Sequence, residues 1–250
     1  MNEEKFVGKA EVYAEFRPTY PEEFIEYLYA TVGFSDSSTV ADIGAGTGIF
    51  SKLLALKNTS LICVEPNTEM LNEARKTLGQ FAKIKLIKAS AENTTLHDNS
   101  VDFITVAQAF HWFEREKFKA ECQRILKNNG KVVLVWNCRD NTNPVVIENA
   151  ETNKRLCPDF KGFTSGLDEN PQSYADFFKN GKCEYKTFIS ELKFDEERFI
   201  GRCLSGSYAP IKNSENYYAY IKEIKKLFNK YSKNKILSLP NITRSYVGEV

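Results

Sequence analysis

Residues 39–48, Thr-Val-Ala-Asp-Ile-Gly-Ala-Gly-Thr-Gly, constrain this chain more than any others. A short apolar run over 40–43 ends in glycines at alternate positions, Gly44, Gly46 and Gly48. An amphipathic stretch follows at once, with Ile49, Phe50, Leu53, Leu54 and Leu56. This is the pattern of strand, tight turn and helix. Glycines in such a turn let main-chain N–H groups approach a ligand with no Cβ in the way. The helix behind offers a partly positive N-terminus to a negative ligand group. The pattern therefore points to a nucleotide-type cofactor.

Two cofactor classes compete for it. The dinucleotide fingerprint G-x-G-x-x-G requires a glycine where Ile49 stands, so NAD is not expected. The observed G-x-G-x-G, with Asp42 two residues ahead, resembles motif I of the S-adenosylmethionine-dependent methyltransferases of Rossmann-like fold. Its acidic partner is present. The apolar run 61–64 ends in Glu65, 21 residues after Gly44, where a carboxylate can accept both ribose hydroxyls.

The 250 residues suit one large domain, and 42% apolar with 27% charged residues is an ordinary globular balance. A net charge of +1 gives no global attraction to nucleic acid or an anionic membrane. Six scattered cysteines, without a C-x-x-C pair and with two histidines, argue against a metal site and for reduced thiols. The acidic start Met-Asn-Glu-Glu-Lys does not read as a signal peptide, and no apolar run approaches a membrane span. The expected location is cytoplasmic.

Downstream, the pattern predicts a helix over 68–78, a strand over 84–88, a polar loop over 89–100 and a strand over 101–106. A helix over 115–126 follows, then an Asn/Gly stop at 127–130 and an apolar strand over 131–136. Alternating strands and helices imply a parallel sheet with right-handed crossovers, its ligands at the carboxyl ends of the strands. Asp42, Glu65, the 90–92 loop and the 108–112 segment all fall at such ends. Beyond Trp136, residues 137–183 hold a helix over 144–156 and a turn-rich stretch, read as a cap insertion. A strand-like run over 184–194, helices near 196–205 and 216–231, and short extended runs at 236–239 and 242–247 complete the chain. The two short runs are expected as the sixth and seventh strands, an antiparallel pair.

Three stretches carry a more specific resemblance: Tyr13-Ala14-Glu15-Phe16-Arg17-Pro18-Thr19-Tyr20-Pro21, the glycine loop, and Val106-Ala107-Gln108-Ala109-Phe110-His111-Trp112-Phe113. Residues 5–250 resemble the small-molecule methyltransferases of the group containing trans-aconitate methyltransferase. The resemblance implies one α/β domain over 1–250, with an N-terminal arm (1–30). Its sheet is seven-stranded and mostly parallel, the last strand antiparallel, with a cap insertion after strand five. It also implies that Asp42, Gly44, Ala45, Gly46 and Gly48 hold the methionine end of the cofactor, with Asp42 toward the ammonium group directly or through water. Pro66, Asn67 and Met70 would line the adenine side, Met70 being equally a core residue. Many relatives carry an acid where Ser90 stands, so the adenine amino contact falls to main chain around Ala91 and Glu92. Gln108 and Ala109 would run past the sulfonium.

Phe110 and Trp112 are expected in the acceptor site, near the sulfonium methyl group, whose positive charge an aromatic face stabilises. His111 is either a general base or an orienting hydrogen-bond donor. Tyr13, Arg17 and Tyr20 are expected to bind the acceptor, Arg17 alternatively pairing with a nearby acid. The activity expected is methyl transfer from S-adenosylmethionine to an oxygen of a small carboxylic acid or similar metabolite, by a monomer or homodimer and without metal. A macromolecular methyltransferase or a non-catalytic cofactor-binding protein is the alternative.

Overall fold

The computed structural model describes residues 18–163 and 170–250. Their centre is a seven-stranded sheet of order β3-β2-β1-β4-β5-β7-β6. The strands are β1 (Thr39–Ile43), β2 (Ser60–Val64), β3 (Ile84–Ile87), β4 (Val101–Ala107), β5 (Leu126–Arg139), β6 (Glu184–Phe194) and β7 (Leu237–Gly248). Strands β1 to β5 pair in parallel, whereas β7 runs antiparallel to both β5 and β6. The expected architecture stands, with one difference at its far edge. The runs at 236–239 and 242–247 are one continuous strand rather than a pair, and the sixth strand is the 184–194 run. Pro240 fails to break β7 because the chain stays extended through it, opposite Glu191.

The helices are α1 (Glu22–Tyr27), α2 (Ile49–Ala55), α3 (Thr68–Leu78), α4 (Arg115–Ile125), α5 (Pro144–Leu156), α6 (Glu196–Leu204) and α7 (Tyr217–Tyr231). α1 continues as a wider turn through Val32 and stops at Gly33, whose φ is +106°. The Asn/Gly stop expected after α4 instead lies within β5. Strand geometry resumes at Leu126, Asn129 takes a φ of +63°, and the register with β4 shifts between Val101 and Phe103. Asn tolerates that conformation, so the turn signal was spent on a bulge. Among the described residues no helix is long and apolar enough to cross a membrane.

Side chains alternate across the sheet with period two. Ile43, Ile104, Leu134 and Trp136 face one side, where α4 and Tyr174, Phe177 and Phe178 cover them. Val40, Leu61, Phe103, Val133 and Val135 face the other, under α1, α2 and α3. The period places Asp42, Thr105 and Asn137 on this second side, at the carboxyl ends of the three central strands. A third core joins α5, α6 and α7 through Phe199, Tyr220, Ile224 and Phe228. The expected cap segment thus divides: α5 joins the third core, while residues 174–178 pack into the main one.

Candidate active site

A cleft opens at the carboxyl ends of β1, β4 and β5, where ligands of such sheets sit. Gly44, Ala45, Gly46 and Thr47 form one wall, Ala107, Gln108 and Asn137 another, and Pro18, Tyr20, Ile49, Phe50 and Arg202 the rest. The glycines differ in what they do. A Cβ on Gly44 would stand 2.6 Å from Ala109 Cβ, and one on Gly48 would stand 2.9 Å from Leu78. Those two admit close packing of the 109–113 segment and of α3. Gly46 has a φ of +57° and nothing within 4 Å of where its Cβ would stand. Its backbone therefore borders open space in a conformation that side chains strain to adopt.

Glu65 is 7% exposed and holds this loop from behind. Gly46 N–H donates to its Oε2 and Asn67 N–H to its Oε1, each at 2.9 Å. Asn67 also caps α3, its side chain accepting from Met70 N–H at 3.0 Å. Met70 itself is buried, as the core alternative anticipated. Pro66 is half-buried between these groups.

Asp42 does not line the cleft. It is fully enclosed beneath the loop, accepting hydrogen bonds from Ser51 Oγ of α2 and, at 2.8 Å, from Thr105 Oγ1 of β4. Burial pushes its carboxyl up to about 6, and the two hydroxyl donors work against that rise. Direct contact with a ligand ammonium group is not part of this arrangement. Asp42 instead ties β1 to β4 and to the helix that follows the loop.

The segment after β4 begins under strain. Gln108 takes a φ of +61°, unusual for a side chain of its size, and β5 holds it there. Its N–H donates to Val135 O at 2.9 Å and its Nε2 to Asn137 O at 3.0 Å. Ala109 is buried against Gly44. Phe110 lies in the core rather than beside an acceptor. It is fully buried, with Phe177 edge-on at 4.8 Å and Tyr174 and Trp136 around it. An aromatic ring at the end of a buried strand found a denser partner set in the core than in the cleft. His111 and Trp112 are half-buried, their rings 4.5 Å apart, and neither lines the cleft. Of the 90–92 loop, Ser90 bridges to Asn93, Ala91 is buried in the main core, and Glu92 accepts from Glu114 N–H at 3.0 Å.

Tyr20 is buried, its ring edge-on to Phe50 at 5.0 Å, and it lines the cleft. Tyr13 and Arg17 lie outside the described residues. Asn137 and Arg202 line the cleft and were missed in the sequence. Asn137 is a buried hub: its Nδ2 donates to Thr19 O at 3.1 Å, and its Oδ1 accepts from Thr243 at 2.6 Å. Its signal was available, as a polar residue ending an apolar strand. Arg202, on α6, carried none, since helix α6 is remote in sequence from every cleft strand.

Residues 41–134 match the family model described as "Methyltransferase domain". An uncharacterised methyltransferase-like protein of Schizosaccharomyces pombe, C25B8.10, is 30% identical over 244 residues, 95% of this chain and 92% of its own length. A second protein of that organism, the uncharacterised methyltransferase C25B8.09, is 28% identical over 95% of this chain and 93% of its own. Among solved structures, one described as a type II methyltransferase, from Anaeromyxobacter dehalogenans, superposes with a TM-score of 0.66 at 20% identity. It covers 94% of this chain and 98% of that one. The YcgJ protein of Bacillus subtilis gives a TM-score of 0.57 at 19% identity, over 92% and 100%. With the glycine loop, the strand-end acid and the sheet order, these likenesses show that the chain belongs to the Rossmann-like S-adenosylmethionine-dependent methyltransferases.

Proposed function

We propose that the chain binds S-adenosylmethionine in this cleft and methylates an oxygen of a small molecule, a carboxylic acid or similar anionic metabolite. The observation that carries the reading is Gly46, whose bare backbone faces open space while its N–H is held by a buried carboxylate. Such a cradle suits the methionine end of the cofactor, and the Glu65 carboxylate beside it suits the ribose hydroxyls. Asp42 acts through Ser51 and Thr105, fixing the loop's footing rather than touching the ligand. When bound, the cofactor supplies a methyl carbon on a sulfonium, already a strong leaving group.

The acceptor oxygen forms the new O–C bond as the C–S bond breaks and its electron pair stays on sulfur. A carboxylate acceptor releases no proton, so no base is needed. Holding the acceptor in line can then supply most of the acceleration. Tyr20 and Gln108, both lining the cleft, are the residues we assign to that task. The net charge of +1 favours a small acceptor over a nucleic acid.

The test is calorimetry with S-adenosylhomocysteine and NAD, followed by its release in a screen of acids and phenols. Binding of S-adenosylhomocysteine, none of NAD, and turnover with an acid are expected. NAD binding without a response to S-adenosylhomocysteine would overturn the cofactor assignment, and binding without any turnover would leave a cofactor-binding protein.

A further inference from the structure

Two parts of the cleft lining meet at Asn137. Its main-chain carbonyl accepts from Gln108 Nε2 at 3.0 Å. Its side-chain amide reaches in the other direction, Nδ2 donating at 3.1 Å to the carbonyl of Thr19, 118 residues away in the chain. Thr19 stands between Pro18 and Tyr20, and both of these line the cleft. Main chain therefore carries one part of the lining and the side chain the other, so a substitution can release the second without the first.

The amide is out of character for its strand. Val132 to Trp136 are all fully buried and apolar, and a further apolar residue would pack as well. A buried amide is costly unless it is hydrogen-bonded. Here β7 holds its oxygen: Asn137 Oδ1 accepts from Thr243 Oγ1 at 2.6 Å and from Asn241 Nδ2 at 3.2 Å, and both of those residues are buried. With the oxygen turned to β7, the nitrogen is left toward Thr19 O, which only a donor can satisfy. The segment it holds is stiff. Pro18 and Pro21 bracket two residues, and proline both fixes its own φ and keeps the residue before it extended. Tyr20 adds its ring, 5.0 Å from Phe50 and 6.1 Å from Phe24. The Thr19 side chain is exposed, so the bond from the sheet falls on its backbone. In so short and stiff a segment, fixing one carbonyl fixes the neighbours on either side.

We propose that Asn137 is a positioning residue: its amide seats residues 18–21 against the cleft and thereby sets how long bound cofactor stays. It acts through Thr19 O and need not touch the ligand. Loss of the donor frees Pro18 and Tyr20, while Gln108 keeps its bond to Asn137 O. The proposal rests on the reading that S-adenosylmethionine binds in this cleft.

The probe is S-adenosylhomocysteine, its release from the immobilised full chain followed by surface plasmon resonance. Asn137→Asp keeps the size and the acceptor for Thr243 and Asn241 but turns an oxygen toward Thr19 O. Release at about pH 8 should be about tenfold faster, the worth of one hydrogen bond. At about pH 5 the ratio to wild type should narrow, because the introduced carboxyl, once protonated, regains a donor for Thr19 O. Pro18→Gly loosens the segment and leaves the sheet intact, so it should also speed release. The double variant should release no faster than the faster single one, since both act through the same segment. Where Asn137→Asp does not fold, Thr243→Val, which unties the amide oxygen, takes its place in the cycle. Unchanged release in the variants, or accelerations that multiply in the double variant, overturns the positioning role and leaves the cofactor reading standing. Failure of the wild type to bind S-adenosylhomocysteine sinks the cofactor reading itself.

Discussion

Replacing Glu65 by alanine tests the loop and the cofactor in one experiment. The side chain is the acceptor for two backbone N–H groups, on Gly46 and on Asn67, each at 2.9 Å. A hydrogen bond to a charged acceptor contributes ~1.5–3 kcal/mol. Gly46 and Asn67 are only half-buried, so water recovers part of the loss and the pair is worth about 2–3 kcal/mol in the free protein. For a chain of this size that lowers the melting temperature by about 4–12 °C. The ribose hydroxyls would lose the same carboxylate, a further ~2–4 kcal/mol, which is about 30- to 700-fold in S-adenosylhomocysteine affinity. Thermal unfolding with and without S-adenosylhomocysteine separates the two effects, and calorimetry measures the second directly. A melting temperature unchanged in the free variant would refute the anchoring of the loop. Wild-type affinity in the variant would refute the placement of the ribose.

Gly46→Val should reduce S-adenosylhomocysteine affinity at least as much as Glu65→Ala, because a branched side chain there both strains the backbone and enters the cleft; wild-type affinity by calorimetry would contradict this. Asp42 titrates near 6 when folded and at an ordinary carboxylate value when unfolded, so the folded state holds the extra proton between about pH 4 and 6 and stability falls as pH rises through that window. The loss is at most ~3 kcal/mol, and Asp42→Asn should flatten the slope in denaturant unfolding across the same range. Arg17→Ala should raise the acceptor KM far more than it weakens cofactor binding if the N-terminal arm closes on the acceptor, whereas loss of cofactor binding alone would assign Arg17 to the cofactor's carboxylate. His111→Ala should lower kcat only modestly in a steady-state assay, since a carboxylate acceptor needs no base; a loss beyond ~10⁴-fold would mark it as essential.

The alternation of apolar runs made the sheet legible because each central strand is buried on both faces and reads as a continuous apolar segment. α3, α5 and β6 fall where the residue pattern puts their ends. The cofactor wall was readable for a different reason: Gly44, Gly46 and Gly48 act through local backbone, and local chemistry survives in a linear sequence. What escaped depends on partners distant in the chain. Phe110 became core because Trp136, Tyr174 and Phe177 converge on it, and nothing near residue 110 announces them. Asp42 carried the expected acid, but its enclosure needs Ser51 and Thr105 together. Arg202 reaches the cleft only through the packing of α6, which periodicity cannot place.

The position of β7 has a consequence for how the chain acquires its shape. β6 pairs with β7 alone, over eleven positions, and β7 in turn joins β5 across about a hundred intervening residues. On a growing polypeptide β6 therefore emerges before any neighbour exists for it, and the open edge of β5 waits equally long. Contacts so remote in sequence form late, since the chain entropy lost in closing such a loop is not repaid until most of the ladder is in place. Refolding should accordingly be slow, with the five parallel strands assembling first and a distinct later phase that protects the amide hydrogens of β6 and β7 together.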